Sequence, residues 1–267
     1  MLNIIRPIWA YRGFVLGSVQ REFQSKYRNS LLGATWTVIN PLAMIFVYTV
    51  IFSQVMKARL SGSESSFAYS IYLCSGVITW GLFAEITGRA QSMFIENANM
   101  LKKLSFPRII LPLVTVINAL LNFSIIFGLF LLFLIVSGNF PGWPVLAFLP
   151  VVLVQLLFAI GLGMVIGIMN VFFRDVGQFF GVFLQFWFWL TPIVYPASIL
   201  PDQAKVIMSF NPMYPVITAY QQIFVEQTWP QWLQWRSLSY TLVAGIFLCW
   251  LGFKMFRRHS GEMVDEL

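Results

Sequence analysis

Uncharged stretches long enough to cross a membrane recur along this chain of 267 residues. They alternate with short segments that carry the charged residues, and they cover 29–56, 65–84, 109–173, 176–201 and 237–253. A helix needs about 20 apolar residues to span the hydrocarbon core, so each stretch except the third holds one helix. The third has 65 residues, and its turn sequence SGNFPGWP (137–144) divides it into two helices. The pattern predicts six transmembrane helices, at 33–55, 67–86, 110–136, 145–169, 177–195 and 237–255.

One further uncharged segment, VIMSFNPMYPVITAYQQIFV (206–225), is also long enough to cross. Its prolines, Pro212 and Pro215, and its polar Asn211 and Gln221 are unfavourable in a single lipid-facing helix, so we predict that it is re-entrant or interfacial. The distribution of charge supports this choice. With six spans and both termini inside, 13 of the 17 Lys and Arg residues lie on the inner side, as the positive-inside rule requires.

Composition agrees with a chain that is almost entirely membrane-embedded. Hydrophobic residues make up 58% of it and charged residues 10%, whereas soluble domains carry about a quarter charged residues. We therefore predict an all-α integral membrane fold that forms one domain over residues 1–267. The net charge of +7 follows from this topology and from contact with anionic lipids, and it does not indicate a nucleic-acid partner.

Candidate catalytic chemistry is sparse in this sequence. The single histidine, His259, lies in the last segment, and no glycine-rich phosphate-binding loop occurs. Glu85 is the one ionisable candidate inside a predicted span, and Arg89 follows one helical turn later, which predicts an ion pair between them. We therefore predict that the chain is not an enzyme and that energy for any work comes from another chain.

The residues before the first span predict an amphipathic helix in the interfacial plane of the membrane, within 1–30. Apolar side chains recur there at steps of three and four, at Leu16, Val19, Phe23, Tyr27 and Leu31. Such a helix is either a simple topology anchor or a working part of the protein.

The inner loop between the second and third spans is longer than a connection requires. Its centre, 92–103, has the pattern of a short amphipathic helix that Pro107 ends, which favours docking onto a cytosolic partner; an ordinary solvated linker is the alternative. The residues predicted to dock are Ser92, Met93, Ile95, Glu96, Asn97, Met100, Leu101, Lys102 and Lys103.

Aromatic residues within two spans indicate a path for a long sugar chain, because sugar CH faces stack on aromatic rings while hydroxyls bind occasional polar groups. The candidates are Trp36, Asn40, Tyr48 and Phe52 in the first span, and Phe183, Phe186 and Trp187 in the fifth. Small residues four apart also predict close helix approach, at Gly163 and Gly167 and at Gly177 and Gly181.

The outer segment after the fifth span is rich in proline and aromatic residues, and irregular backbone at membrane depth survives only inside protein or along a wet cavity. We predict a gate within 196–226, formed by Asn211, Pro212, Tyr214 and Pro215. Three tryptophans that follow, Trp229, Trp232 and Trp235, are better explained as an outer aromatic belt.

Five segments together resemble one family: KYRNSLLGATWTVINPL, LKKLSFPR, FFRDVGQFF, LTPIVYP and HSGEMVDEL. They are similar to the membrane subunit of polysaccharide-export ABC transporters of the bacterial inner membrane, most closely to O-antigen exporters. In that family two permease copies pair, and two cytosolic subunits bind ATP and Mg²⁺, so this chain itself needs no cofactor. The resemblance implies a lipid-linked polysaccharide as cargo, with O-antigen on undecaprenyl pyrophosphate as the expected one.

The resemblance also implies roles for the segments above. It implies an interface helix at about Ile4 to Ser30, a coupling helix at about Ser92 to Lys103, and two re-entrant gate helices within Pro196 to Glu226. The channel would run at the dimer interface beside the first and fifth spans. Four basic residues of the interface helix would then guide the anionic lipid head group, namely Arg12, Arg21, Lys26 and Arg28.

Other interpretations remain open at this point. The same transporter type exports teichoic acid, capsule, small glycolipids or drugs. A membrane-embedded glycosyl- or acyltransferase would need an acidic or His-Asp cluster at the inner face, where the sequence offers Asp175 beside Arg174. A passive channel or a scaffold would not couple to ATP hydrolysis.

Overall fold

The computed structural model describes residues 11–26, 30–51, 67–103 and 110–266, in which every regular element is helical. Short 3₁₀ turns cover Gly33–Thr35, Trp143–Ala147 and Ala197–Ile199, and a π-helical turn covers Gln222–Glu226. The α-helices are α1 (Arg12–Lys26), α2 (Trp36–Thr49), α3 (Ala68–Glu96), α4 (Ala98–Lys103), α5 (Ile110–Val136), α6 (Phe148–Phe172), α7 (Asp175–Trp189), α8 (Asp202–Ser209), α9 (Tyr214–Gln221), α10 (Trp232–His259) and α11 (Glu262–Glu266).

Four helical units within the described ranges are long and apolar enough to cross a membrane. They are Ala68–Glu96, Ile110–Val136, Trp143–Phe172 and Gln234–His259. These units confirm four of the predicted spans. The third predicted span, 110–136, has the observed bounds of α5, because charged residues precede it and the turn sequence follows it.

The fifth predicted span corresponds to a shorter helix, and the first is described only in part. α2 has 14 residues, and the described chain continues only to Ile51. α7 has 15 residues and ends at Trp189, so the predicted end at residue 195 is too late. Pro192 explains the early end, because its ring disfavours helical backbone at the preceding residue and its nitrogen carries no hydrogen to donate.

The helix that we predicted over 92–103 is two helices. Ser92 to Glu96 form the end of α3, because no proline or glycine interrupts the helix after Gly88. The chain turns at Asn97 (φ −101°, ψ 16°), whose Nδ2 donates a hydrogen bond to the Met93 carbonyl oxygen at 2.8 Å. α4 then begins at Ala98.

Glycines bring α6 against α3 on one side and α10 on the other. A Cβ added at Gly163 would lie 2.6 Å from the Ala90 Cβ, and one at Gly167 would overlap the Ala90 carbonyl oxygen. On the other side, a Cβ at Gly161 would lie 2.6 Å from the Cys249 amide nitrogen. The close approach predicted from Gly163 and Gly167 is therefore confirmed, and it places α6 at the centre of the bundle.

The second glycine pair behaves differently. A Cβ at Gly177 would meet the Asn170 side chain at 2.7 Å, and the Gly177 amide donates to Asn170 Oδ1 at 2.8 Å. Gly181 has open space where a Cβ would lie. Close packing is thus confirmed for the first glycine of this pair, and the partner is the preceding helix.

Aromatic rings fill the centre of the core. Phe83 of α3 stacks on Phe158 of α6 with ring centroids 5.7 Å apart, and Trp187 of α7 meets Phe83 edge-on at 5.1 Å. Trp187 is only 9% exposed. Trp187, which we predicted to line a path, is therefore buried in the described chain, where its ring serves the packing of α7 on α3.

Candidate functional site

The two ends of the bundle carry different structures. We call one the α4 end, because α1, α4 and α11 lie there. We call the other the α8 end, because the 137–147 connection and the segment from 190 to 231 lie there. Polar and charged side chains meet at the α4 end, whereas a network of amide and hydroxyl groups organises the α8 end.

Two carboxylates and one guanidinium meet at the α4 end. Arg89 Nε lies 3.2 Å from Glu85 Oε1, which confirms the predicted ion pair, and Arg89 Nη1 also pairs with Glu22 of α1. Two asparagines of α5 complete the group: Asn122 donates to Glu85 Oε2 at 2.7 Å, and Asn118 donates to Glu22. This polar cluster joins α1, α3 and α5.

Sequence reasoning missed three members of the polar cluster. Glu22 is the only carboxylate in an otherwise basic helix, and Asn118 and Asn122 stand one turn apart in a strongly apolar span. Those two features were the available signals, because a lone polar group inside a span needs a partner. Nothing in the sequence indicated that the partner of Asn118 would be Glu22.

Three cavities follow one another along the groove between α1, α2, α3 and α5. The first, of about 470 Å³, is lined at the α4 end by Arg21, Glu22, Arg89 and Glu96 among others. The second, of about 290 Å³, shares Glu22 and Arg89 with the first. The third, of about 470 Å³, shares Thr37 and Asn122 with the second. We call this series the polar groove.

The polar groove includes two of the residues predicted for a polymer path. Trp36 and Asn40 line its third cavity together with Ser30, and the Trp36 indole donates to Ser30 Oγ at 3.1 Å. Tyr48 is half-buried and packs against the core. Phe52 lies outside the described residues.

The fifth predicted span contributes exposed aromatic rings instead of a groove. Phe183 and Phe186 are 40% and 66% exposed on α7, and Phe179 stacks on Phe183. The polar groove and this aromatic face are therefore separate surfaces of a single chain.

The basic residues predicted to guide a head group are only partly described. Arg12 and Arg21 are exposed on α1, and Arg21 Nη2 donates to Ser18 Oγ at 3.0 Å. Arg21 also lines the first cavity of the polar groove. The Lys26 side chain and Arg28 lie outside the described residues.

The face by which α1 packs differs from the predicted apolar stripe. Val19 is buried as expected, but its buried partners are Val15 and Ile110. Leu16 is 66% exposed and Phe23 38% exposed. α1 therefore packs against α5 through one apolar edge, while its other apolar side chains stay exposed.

The predicted docking residues divide between core and surface. Met93 and Leu101 are buried at 3% and 5% exposure, in a cluster with Phe94, Phe256 and Met263 of α11. These two side chains pack inside the chain and help to hold α4 in place. Those at the described surface are Ser92, Ile95, Glu96, Asn97 and Lys102, and the side chains of Met100 and Lys103 lie outside the description.

At the α8 end, one asparagine connects α7 to the start of α9. Asn211 Oδ1 accepts from the Trp187 indole at 2.8 Å and from the Met213 amide at 2.9 Å. Its Nδ2 donates to Thr191 Oγ1 at 2.9 Å and to the Leu190 carbonyl at 3.3 Å. We call these contacts the Asn211 junction.

The neighbouring predicted gate residues are also bonded through their backbones. The Pro212 carbonyl accepts from Thr241 of α10 at 2.7 Å, the Pro215 carbonyl accepts from Gln234, and the Tyr214 amide donates to the Asn211 carbonyl at 3.0 Å. All four predicted gate residues thus lie in one connected group at the α8 end.

α9 is buried in the bundle. Val216, Ile217 and Ala219 are fully inaccessible, and Tyr220 donates from its hydroxyl to Gln155 of α6 at 3.3 Å. Gln155 in turn donates to the Thr79 carbonyl of α3 at 2.7 Å. The short helices α8 and α9 therefore differ in their surroundings: α8 is largely exposed, whereas α9 is part of the core.

These features define an integral membrane protein: an all-α bundle with a polar groove at one end and the hydrogen-bonded Asn211 junction at the other. The chain belongs to the family of ABC-2 type transporters, whose membrane domain matches residues 15–225.

Individual relatives match over nearly the whole chain. An O-antigen export system permease protein, RfbA, from Myxococcus xanthus is 30% identical over 100% of both chains. RfbA from Klebsiella pneumoniae is 28% identical over 92% of both chains. The polysialic acid transport protein KpsM from Escherichia coli is 21% identical over 92% of this chain and 93% of its own.

Proposed function

We propose that this chain is the membrane subunit of an ATP-driven exporter that moves a lipid-linked polysaccharide across the bacterial inner membrane. The observation that carries the proposal is the match, over the full length of both chains, to a relative named as an O-antigen export permease. The polar groove and the exposed aromatic face suit a cargo with a charged head and a sugar chain. O-antigen on undecaprenyl pyrophosphate is the proposed cargo.

The proposal includes a topology. α2 and α7 join the four long helical units as membrane spans, which gives six. Both termini and the α4 end lie in the cytoplasm, because Arg89, Lys102, Arg174 and Arg257 all fall at that end. The segment that carries α8 and α9 is then re-entrant from the outer side, and the Asn211 junction forms part of the outer gate.

Assembly and cargo passage complete the proposal. Two copies of the chain pair, and two cytosolic ATP-binding subunits, which carry ATP and Mg²⁺, dock at the α4 end. The channel lies between the copies and uses the aromatic face of α7 and the side of α2 that carries Trp36 and Asn40. Arg12, Arg21, Lys26 and Arg28 attract the anionic head group at the inner surface.

Capsular polysaccharide is a second candidate cargo, favoured by the similarity to a polysialic acid transport protein. Teichoic acid, small glycolipids and drugs are further possibilities for the same machinery. The exposed aromatic rings of α7 bind sugar faces without selecting a particular sugar. Cargo must therefore be identified by analysing the glycans themselves.

Deletion of the gene in its native host tests the proposed function. We expect surface polysaccharide to disappear and undecaprenyl-linked glycan to accumulate in the inner membrane, because synthesis continues without export. The measurement is mass spectrometry of extracted lipid-linked glycans, with plasmid-borne wild-type protein as the control. Unchanged surface glycan together with unchanged intermediates would exclude a polysaccharide cargo.

A charge reversal on α4 tests docking of the ATP-binding subunit. Lys102→Glu is expected to reduce the ATP-binding subunit that co-purifies with the chain by about fivefold, because a charge at an interface changes partner selection strongly. Lys205→Glu is the matched control, since Lys205 is also an exposed lysine on a short helix but lies at the α8 end. Equal co-purification of both variants would argue against docking at α4.

A further inference from the structure

The ion pair between Glu22 and Arg89 stands across the polar groove. Both side chains line the first cavity, next to the α4 end, and both line the second cavity, which leads toward Asn122 and Thr37. A polar ligand that moved along the groove would therefore meet this pair and would have to separate or bypass it. The position of the pair raises the question of which ligand could do so.

Arg89 retains binding capacity beside its two carboxylate partners. A guanidinium has five N–H donors. Within the described part of the chain, the contacts of the Arg89 side chain are those from Nη1 to Glu22 and from Nε to Glu85. The side chain is also 36% exposed, so the remaining donors are accessible from the cavities.

The charges around Arg89 determine what can replace a partner. Glu22 and Glu85 together carry two negative charges against one positive charge, and both are partly buried, at 41% and 19% side-chain exposure. A phosphate matches a guanidinium in the same two-point geometry as a carboxylate and carries more charge. A phosphate-bearing ligand can therefore replace Glu22, the more exposed of the two carboxylates.

We propose that Arg89 is a binding site for a diphosphate group and that Glu22 masks it. When the ligand binds, its phosphate oxygens replace the Glu22 carboxylate on Arg89, while Glu85 keeps the guanidinium in place through Nε. The Asn118 amide, which donates to Glu22 at rest, becomes available to the ligand. This inference rests on the proposed function for the source of the ligand, a lipid-linked diphosphate.

Exchange of partners at Arg89 also affects α1. Glu22 is carried by α1, whose Val15 and Val19 pack against Ile110 of α5. Release of Glu22 therefore loosens α1 from α3. The position of α1 therefore depends on whether a diphosphate is bound to Arg89.

Binding of soluble diphosphates to the purified full-length chain in a nonionic detergent tests the masked site. Farnesyl diphosphate and inorganic pyrophosphate are the two probes, and farnesol controls for binding of the prenyl chain alone. We expect Glu22→Gln to bind farnesyl diphosphate about tenfold more tightly than wild type, because it removes a charged competitor. Arg89→Gln should bind it about tenfold more weakly, because it removes a charge-assisted contact.

Two further variants make the result specific. Glu262→Gln removes a carboxylate from the same end of the bundle, where it pairs with His259, and should leave the affinity for farnesyl diphosphate unchanged. Arg89→Lys keeps the positive charge but loses the planar set of N–H donors, and it should bind farnesyl diphosphate more weakly than wild type. The gain in Glu22→Gln cannot arise from misfolding, so the proposal stays testable even if Arg89→Gln does not fold.

The outcomes distinguish a lipid head group from a free diphosphate as the ligand. They also distinguish failure of the masked site from failure of the proposed function. Tighter binding of farnesyl diphosphate than of pyrophosphate identifies a lipid head group, whereas equal binding identifies a free diphosphate. Equal affinities of wild type and Glu22→Gln, or a gain of the same size in Glu262→Gln, would overturn the masked site. If lipid-linked glycan still accumulates on deletion, the proposed function survives that failure.

Discussion

Replacing Gly167 by valine is expected to abolish the folded protein. A Cβ at this position overlaps the carbonyl oxygen of Ala90, which is backbone of α3 and cannot rotate away. The two helices would have to separate along their whole contact, and α6 also holds α10 through Gly161. Overpacking of this kind costs about 3 kcal/mol or more, a large fraction of the stability of most proteins.

Fluorescence-detected size exclusion of detergent extracts measures this loss. We expect the monodisperse peak of Gly167→Val to fall to the background. Gly128→Val is the matched control, because Gly128 is an exposed glycine within α5 with open space where a Cβ would lie. A monodisperse Gly167→Val protein with the melting temperature of wild type would show that α3 and α6 do not approach this closely.

The close approach at Gly167 illustrates what the sequence could predict. The sequence signals for spans and for close helix crossings lie within or next to a single helix. α5 lies between charged residues and a turn sequence. Glycines four apart in α6 indicate a close crossing but do not specify which helix is the partner. The Glu85–Arg89 pair is local as well, one turn apart on α3. Each of these features depends on residues within one helix.

Features that join distant segments could not be predicted in the same way. Glu22 meets Arg89 across 67 positions of sequence, and no periodic pattern specifies that contact. The aromatic neighbours of Trp187 in the sequence indicate a path, whereas its orientation in the structure is set by Phe83 and by Asn211. The site at the α4 end therefore emerges only when α1 is placed against α3 and α5.

Replacing Asn211 by leucine is expected to reduce export about tenfold while the protein still folds. Leucine has a similar size but removes all four hydrogen bonds of the Asn211 junction. The Trp187 indole and the Met213 amide then lose an acceptor, at a cost of about 1–3 kcal/mol for each buried donor. The end of α7 and the start of α9 become free to move apart, and a gate built from them no longer opens and closes as a unit.

Surface polysaccharide in a complemented deletion strain measures the effect, with the amount of membrane-inserted protein determined in parallel. We expect Asn211→Leu to lower surface glycan about tenfold, a change equivalent to about 1.4 kcal/mol. Asn211→Asp should be intermediate, because a carboxylate still accepts from Trp187 and Met213 but cannot donate to the Leu190 carbonyl. Gln203→Leu removes an exposed amide from α8 and should export normally. Normal export by Asn211→Leu would mean that the gate does not depend on the junction between α7 and α9, and that α9 moves independently of α7.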